Sequence, residues 1–301
     1  MGLIKAAASA VSSSYKDMWK DYFVCDSLQD NVLMVKGIKK GSGLFDKNDV
    51  ISNGSGIVVA DGQCAIVVDD GIVVEVANEP GNYTFDTTKS PSLFDGGFKG
   101  IAGTFKQMVE RFTYEGVTNR QQNVYYINTK EIPGNMYGTT TPIPFKVSDA
   151  SINLNMQVQL RCNGEYSIRI TNPVAFYKNV AGNVDTYYKE TLDSQLKSEL
   201  LTALQPAFAK IAEAGVRYSE VPAHVDDLAA ALKEALAVKW TENRGIDFCN
   251  IGVNSVSMDP ENEKKIRDLQ LAAVNKDVNM ATATLTYTIP TTTFSGSGST
   301  L

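Results

Sequence analysis

The stretch SINLNMQVQLRCNGEYSIRITNP, residues 151–173, decides the fold. Ile152, Leu154, Met156, Val158, Leu160 and Cys162 recur at every second position. That is the period of a strand with one buried face. Asn163-Gly164 follows, and Tyr166, Ile168 and Ile170 continue the alternation beyond it. Asn-Gly is the strongest short-range signal for a two-residue hairpin turn. A strict two-residue turn would pair Arg161 with Tyr166 and send the two apolar sets to opposite faces. The expectation is therefore a hairpin with one extra loop residue or a bulge, which sets Cys162 opposite Tyr166.

Downstream the period changes to that of helices. Tyr188, Leu192, Leu196, Leu200, Leu204, Phe208 and Ile211 form a stripe closed by Gly215, with Pro206 expected to kink or split the helix. Leu228, Leu232, Leu236 and Trp240 mark a second helix, stopping before Gly245. Ile246–Met258 reads as a strand. Asp259 as N-cap, Pro260 at the first position and early Glu261 and Glu263 open a charged helix, expected to run to about Lys276. Thr, Ser and Gly then dominate, which predicts a flexible tail over 278–301.

Upstream, Ile57–Val59, Cys64–Val68 and Ile72–Val76 are β-branched runs punctuated by Asp61-Gly62 and Asp70-Gly71, read as a meander of short antiparallel strands. A short helix is expected from about Ile101 to Gly116, and strands at Asn123–Ile132 and Pro144–Val147. Residues 1–23 read as an amphipathic helix, because Ile4, Ala8, Val11, Tyr15, Met18, Trp19 and Tyr22 recur at spacings of three and four. The start MGLIKA approaches a myristoylation pattern but has Ala6 where Ser or Thr is required. Leu3, Ile4, Val11, Tyr15, Met18, Trp19, Tyr22 and Phe23 are the candidate membrane or oligomer contacts. Aromatic residues beside Lys5, Lys16 and Lys20 suit an interfacial helix, while Asp17 and Asp21 weaken attraction to anionic lipid. A helix packed on its own domain or on a neighbour explains the same pattern equally well.

With 301 residues, 43% hydrophobic and 21% charged, the chain can bury a full core. A net charge of −6 argues against general nucleic-acid binding, which needs a basic face. No apolar stretch approaches the roughly 18 residues of a membrane span. Cys25, Cys64, Cys162 and Cys249 show no paired spacing, so reduced, buried thiols are expected rather than a zinc site or disulfides. His224 is the one histidine, in an interhelical turn beside Asp226 and Asp227. A Cys–His or Ser–His–Asp site would have to use it. Gly54-Ser55-Gly56 enters a strand, and Gly97, Gly100 and Gly103 follow none, so neither group forms a phosphate cradle. No catalytic, cofactor-binding or metal-binding residue is assigned.

The segment from Asn172-Pro173 through Phe176-Tyr177, the two helices, Gly245-Ile246, the strand and Asp259-Pro260 resembles the second half of an SPFH (stomatin/prohibitin/flotillin), or band 7, domain. CDSLQDNVLMVKG at 25–37, NGSGIVVADGQCAIVV at 53–68, EPGNYTFDT at 79–87, RFTYEG at 111–116, VYYINTKEIPGN at 124–135, RCNGEYSIRITNP at 161–173 and LDSQLKSELLTALQPAFAKI at 192–211 extend the likeness. With MGLIKA, they are similar to a bacterial subgroup often labelled virion-core-like. The Cys-rich zinc ribbon with which its members commonly continue finds no counterpart after residue 276.

The resemblance implies an α+β fold, an antiparallel β-meander module plus a band 7-type module, flanked by an N-terminal amphipathic helix and a C-terminal helix. The expected parts are the helix over 1–26, a first sub-domain over 27–148, a second over 149–258, an oligomerisation helix over 259–277 carrying Ile266, Leu269 and Leu271, and the tail. The implied function is a non-enzymatic scaffold without cofactor. It would assemble with itself into a ring or cage, peripheral on the cytoplasmic face of the plasma membrane, and recruit a membrane-stress protein or a membrane protease. The alternative is a soluble oligomeric protein-binding module whose N-terminal helix packs internally. An enzyme pairing Cys64, Cys162 or Cys249 with His224 ranks last.

Overall fold

A computed structural model describes residues 2–5, 21–26, 28–41, 51–86, 121–149 and 154–287. The strands in chain order are β1 (Gly2–Lys5), β2 (Asp21–Val24), β3 (Val32–Lys36), β4 (Ile38–Gly41), β5 (Gly56–Val59), β6 (Gln63–Asp69), β7 (Ile72–Ala77), β8 (Gly81–Asp86), β9 (Gln122–Asn128), β10 (Ile132–Gly138), β11 (Ile143–Asp149), β12 (Leu154–Ile170), β13 (Thr186–Tyr188) and β14 (Ile246–Met258). The helices are α1 (Pro173–Phe176), α2 (Glu190–Glu213), α3 (Val225–Ala237) and α4 (Pro260–Tyr287), with a π-turn after α1 and another after α3. The fold is α+β, as expected.

The β-branched runs build a central layer. β6 is buried at every position and β9 at all but Asn123. Continuous hydrophobic runs of this kind belong to strands covered on both faces. In the sheet β13-β3-β9-β6-β7, Cys64, Ile66, Val68, Tyr125 and Ile127 face one core, while Ala65, Val67, Val124 and Tyr126 face the other. A second sheet, β1-β8-β5-β2-β4, closes the latter core with Phe23, Ile57, Val59, Tyr83 and Phe85. The strands of 56–86 are thus divided between two sheets rather than forming one meander, and β2 pairs β5 in parallel. The Asp70-Gly71 hairpin is present, with φ of 48° and 81° at the two turn residues and Asp69 opposite Ile72.

The stretch 154–170 corrects the hairpin expectation. It is one strand of 17 residues, with no turn at Asn163-Gly164. Leu154, Val158, Leu160, Cys162, Gly164, Tyr166, Ile168 and Ile170 are all buried on a single unbroken alternation. Gly164 is required by close approach instead. A Cβ there would lie 1.9 Å from the Gly252 carbonyl oxygen of β14. β12 carries β14 along one side and β10 and β11, end to end, along the other; Leu160 is opposite both Met258 and Ile143. Ser148 and Asp149, on either side of the expected division, both lie in β11 and pair with β12. β13 likewise returns to β3 in the central sheet.

α2 and α3 cover the apolar face of this third sheet. Leu192, Leu196, Leu200, Leu204, Phe208 and Ile211 of α2 and Leu228, Leu232 and Leu236 of α3 are buried as the stripes predicted. Pro206 does not split α2. α4 runs eleven residues past Lys276, so the segment 278–287 is helix rather than tail. The helix expected over 1–23 is corrected at both ends, where β1 and β2 are strands. Its middle and the helix expected near 101–116 lie outside the described residues.

Candidate self-association and membrane-facing surfaces

The two dipeptides that carried the family likeness meet in one joint. The backbone N–H groups of Thr171 and Asn172 both donate to the Gly245 carbonyl, at 2.9 and 3.1 Å. Gly245 has φ of 69°, and a Cβ there would lie 2.2 Å from the Asn172 carbonyl oxygen. Only glycine combines that backbone with that proximity. The Asn172 side chain turns the other way and caps α1 by accepting from the Ala175 N–H at 3.1 Å. α1 then leads to Tyr177, whose ring meets Tyr125 of the central sheet at 5.4 Å. The joint thus fixes where β12 ends, where β14 begins and how both reach the central layer.

A second clasp holds α2 to the end of α3. Arg244 donates to both Glu199 carboxylate oxygens, at 2.6 and 2.8 Å, and the Trp240 indole N–H donates to one of them at 2.8 Å. These hydrogen bonds, Arg244 first, hold the Glu199 carboxyl at about 2, against an ordinary 4.5. Trp240 itself is fully buried among Tyr166 and Phe248. Sequence reading missed this group, because its partners lie 41 and 45 residues apart with no local pattern.

From this braced body β14 passes into α4. Asp259 caps the helix, accepting from the Glu261 N–H at 2.9 Å. Ile266 is 5% exposed and belongs to the main core. It anchors the root of α4 to its own chain. Leu269, Leu271 and Val274 are 44%, 56% and 59% exposed. Leu269 and Leu271 stand two residues apart, about 200° around a helix, so they do not share a face. Leu271 and Val274 do, at a spacing of three.

In the N-terminal strands, Leu3 and Phe23 point inward, packed in the smaller core. Ile4 and Tyr22 lie in a different row. The register Ile4–Thr84–Gly56–Tyr22–Lys40 crosses the whole outer sheet, which puts both residues on one face. Ile4 is 38% exposed and Tyr22 half-buried. Val11, Tyr15, Met18 and Trp19 lie outside the described residues.

Burial pushes the Cys64 thiol up to about 12 and Cys162 up to about 11, and raises Cys25 and Cys249 as well. All four are free, and burial of this kind disfavours the nucleophilic thiolate. His224 Nδ1 lies 3.0 Å from the Asp227 carboxylate at the start of α3, on the surface. A recess of about 230 Å³ opens over Glu131, Glu165, Ser167 and Asn250. Ser167 donates to Glu131 at 2.6 Å and Arg169 pairs with the same carboxylate at 3.5 Å. Among the described residues no group of three or more His, Cys, Asp and Glu could hold a metal ion. None of their helices is long and apolar enough to cross a membrane.

A β-rich first part, the Asn172/Gly245 joint and a strand running straight into a capped outgoing helix define the class, and the chain belongs to the SPFH domain–Band 7 family, whose model matches residues 45–274. The uncharacterized protein YdjI of Bacillus subtilis (strain 168) is similar to it, 23% identical over 190 residues. That match covers 63% of this chain and 52% of YdjI, so the chain spans about half the length of this curated relative.

Proposed function

We propose that this protein is a non-enzymatic scaffold that assembles with copies of itself and lies peripherally on a membrane surface. The observation that carries the reading is α4. The helix is rooted by Ile266 and then turns Leu271 and Val274 outward, beyond the body of its own chain. Apolar residues stand at 271, 274, 278, 281 and 285, the alternation of three and four that pairs helices side by side. A helix exposing Leu271 and Val274 gains little alone and much from a second helix. Membership of the SPFH domain–Band 7 family supports the same reading, since members are generally membrane-associated scaffolds.

The membrane-facing part of the proposal rests on the outer row holding Ile4 and Tyr22 and on the aromatic segment leading to it. Recruitment of a membrane-stress protein or a membrane protease is the use that family membership suggests. The test is joint measurement of mass and lipid binding on the full chain. Light scattering should give a multiple of 32.7 kDa. Flotation should carry the protein with phosphatidylglycerol vesicles, less so after Ile4→Glu with Trp19→Glu. A single-chain mass without flotation contradicts the proposal.

A further inference from the structure

We infer that β12 also pairs with β12 of a second copy, antiparallel, along Asn155–Gln159, with the two-fold axis at Gln157. This rests on the self-association reading above and names a contact separate from α4.

The starting point is a ladder that stops early. β11 pairs β12 without a shift from Ile143–Leu160 to Asp149–Leu154. On the opposite side the β14 ladder ends at Met258–Leu160. Asp259-Pro260 then leaves the sheet as α4. Among the described residues, Asn155–Gln159 has a strand partner on one side only. Unpaired strand edges are templates for another chain, and proteins blunt the ones they do not use.

The outermost strands of the three sheets carry such devices. In the outer sheet β1 has Lys5, and β4 has Lys39 and Lys40. In the central sheet β13 is only three residues long, and β7 turns Glu75 inward, fully buried. In the third sheet β10 has Pro133 and a register shift, β11 has Pro144 and Lys146, and β14 has two register shifts against β12. The segment NMQVQ at 155–159 has no charge, no proline, no glycine and no shift.

The segment also selects its occupant. With no charge, a self-pair sets no like charges in opposition. Centred on Gln157, the pair places Asn155 opposite Gln159 and Met156 opposite Val158. It uses Asn155–Gln159 and stops before Leu160, where Met258 is already in place. Asn155, Gln157 and Gln159 are exposed, so their amides form one row across the joined sheet. Met156 and Val158 face the core side and extend the apolar layer from one copy to the next. A ladder this short falls well below the roughly 1,000 Å² of a self-sufficient interface. It acts beside α4, and two different self-contacts per chain let an assembly grow beyond a pair.

Site-specific cross-linking tests the register. In a Cys25→Ser, Cys249→Ser background, Gln157→Cys would bring two thiols together across the axis, where paired Cα atoms stand about 5 Å apart, within disulfide range. Diamide as two-electron oxidant should convert most of the purified full chain to a disulfide dimer, and a mixture of Asn155→Cys and Gln159→Cys chains should give the mixed dimer. Ser198→Cys, exposed on α2, should stay monomeric on the denaturing gel. If light scattering shows assembly but neither pair links, or Ser198→Cys links equally, the β12 contact is wrong and the scaffold reading stands. If the parent has the mass of one chain, both fall.

Discussion

α2 and α4 are helices of 24 and 28 residues that spend their leucines in opposite ways. α2 buries Leu192, Leu196, Leu200 and Leu204 against the third sheet and is clasped to α3 through Glu199. α4 buries Ile266 and then shows Leu269, Leu271 and Val274 to its surroundings. One helix completes the fold of its own chain. The other begins in that fold and leaves it. The contrast separates stability from assembly, and each can be perturbed alone.

The largest effect is expected inside α2. Leu204→Ala removes a fully buried side chain and should cost about 2–5 kcal/mol in urea unfolding, with the assembled mass unchanged below the transition. Ile266→Ala at the root of α4 should cost less, about 2 kcal/mol, since it empties the edge of the same core. A mass change without any loss of stability would move the boundary of the body to before Ile266.

Acid probes the clasp. The folded Glu199 carboxyl, at about 2, lies below its ordinary 4.5, so its contribution is full above the unfolded value and is lost as pH falls from about 4.5 to about 2. That contribution is on the order of 2 kcal/mol, allowing for its partial exposure. Glu199→Gln should remove the corresponding part of the pH dependence between 4.5 and 2, read from unfolding midpoints. An unchanged acid slope would mean the clasp does not brace α2. The smallest stability effect belongs to the exposed face of α4. Leu271→Glu with Val274→Glu should shift unfolding by less than about 0.5 kcal/mol.

The sequence made the helical third legible because its stripes are long and their partners lie in the same sheet. The cap at Asp259 and the strand 246–258 also follow from local chemistry. The errors share a cause. Asn163-Gly164 has the composition of a turn, but Gly164 serves the backbone of β14 at Gly252, far along the chain, and no local rule records that. The parity conflict between Arg161 and Tyr166 was the clue that the alternation runs through. Ile4 and Tyr22 fit a helical spacing, yet both stand in short segments that the tertiary setting made strands. The run past Lys276 was missed because Thr-rich composition lowers helix propensity without abolishing it. The outgoing helix was readable as a helix; the free segment of β12 was not, since it exists only where β14 stops.

The most direct test of the central claim compares the mass of the wild-type chain with that of Leu271→Glu, Val274→Glu by sedimentation velocity at equal micromolar concentration. The wild type should sediment as a multiple of the chain and the double variant as smaller species with unaltered unfolding. A wild type that sediments as one chain, or a double variant of identical mass, would contradict the assignment of α4 to self-association.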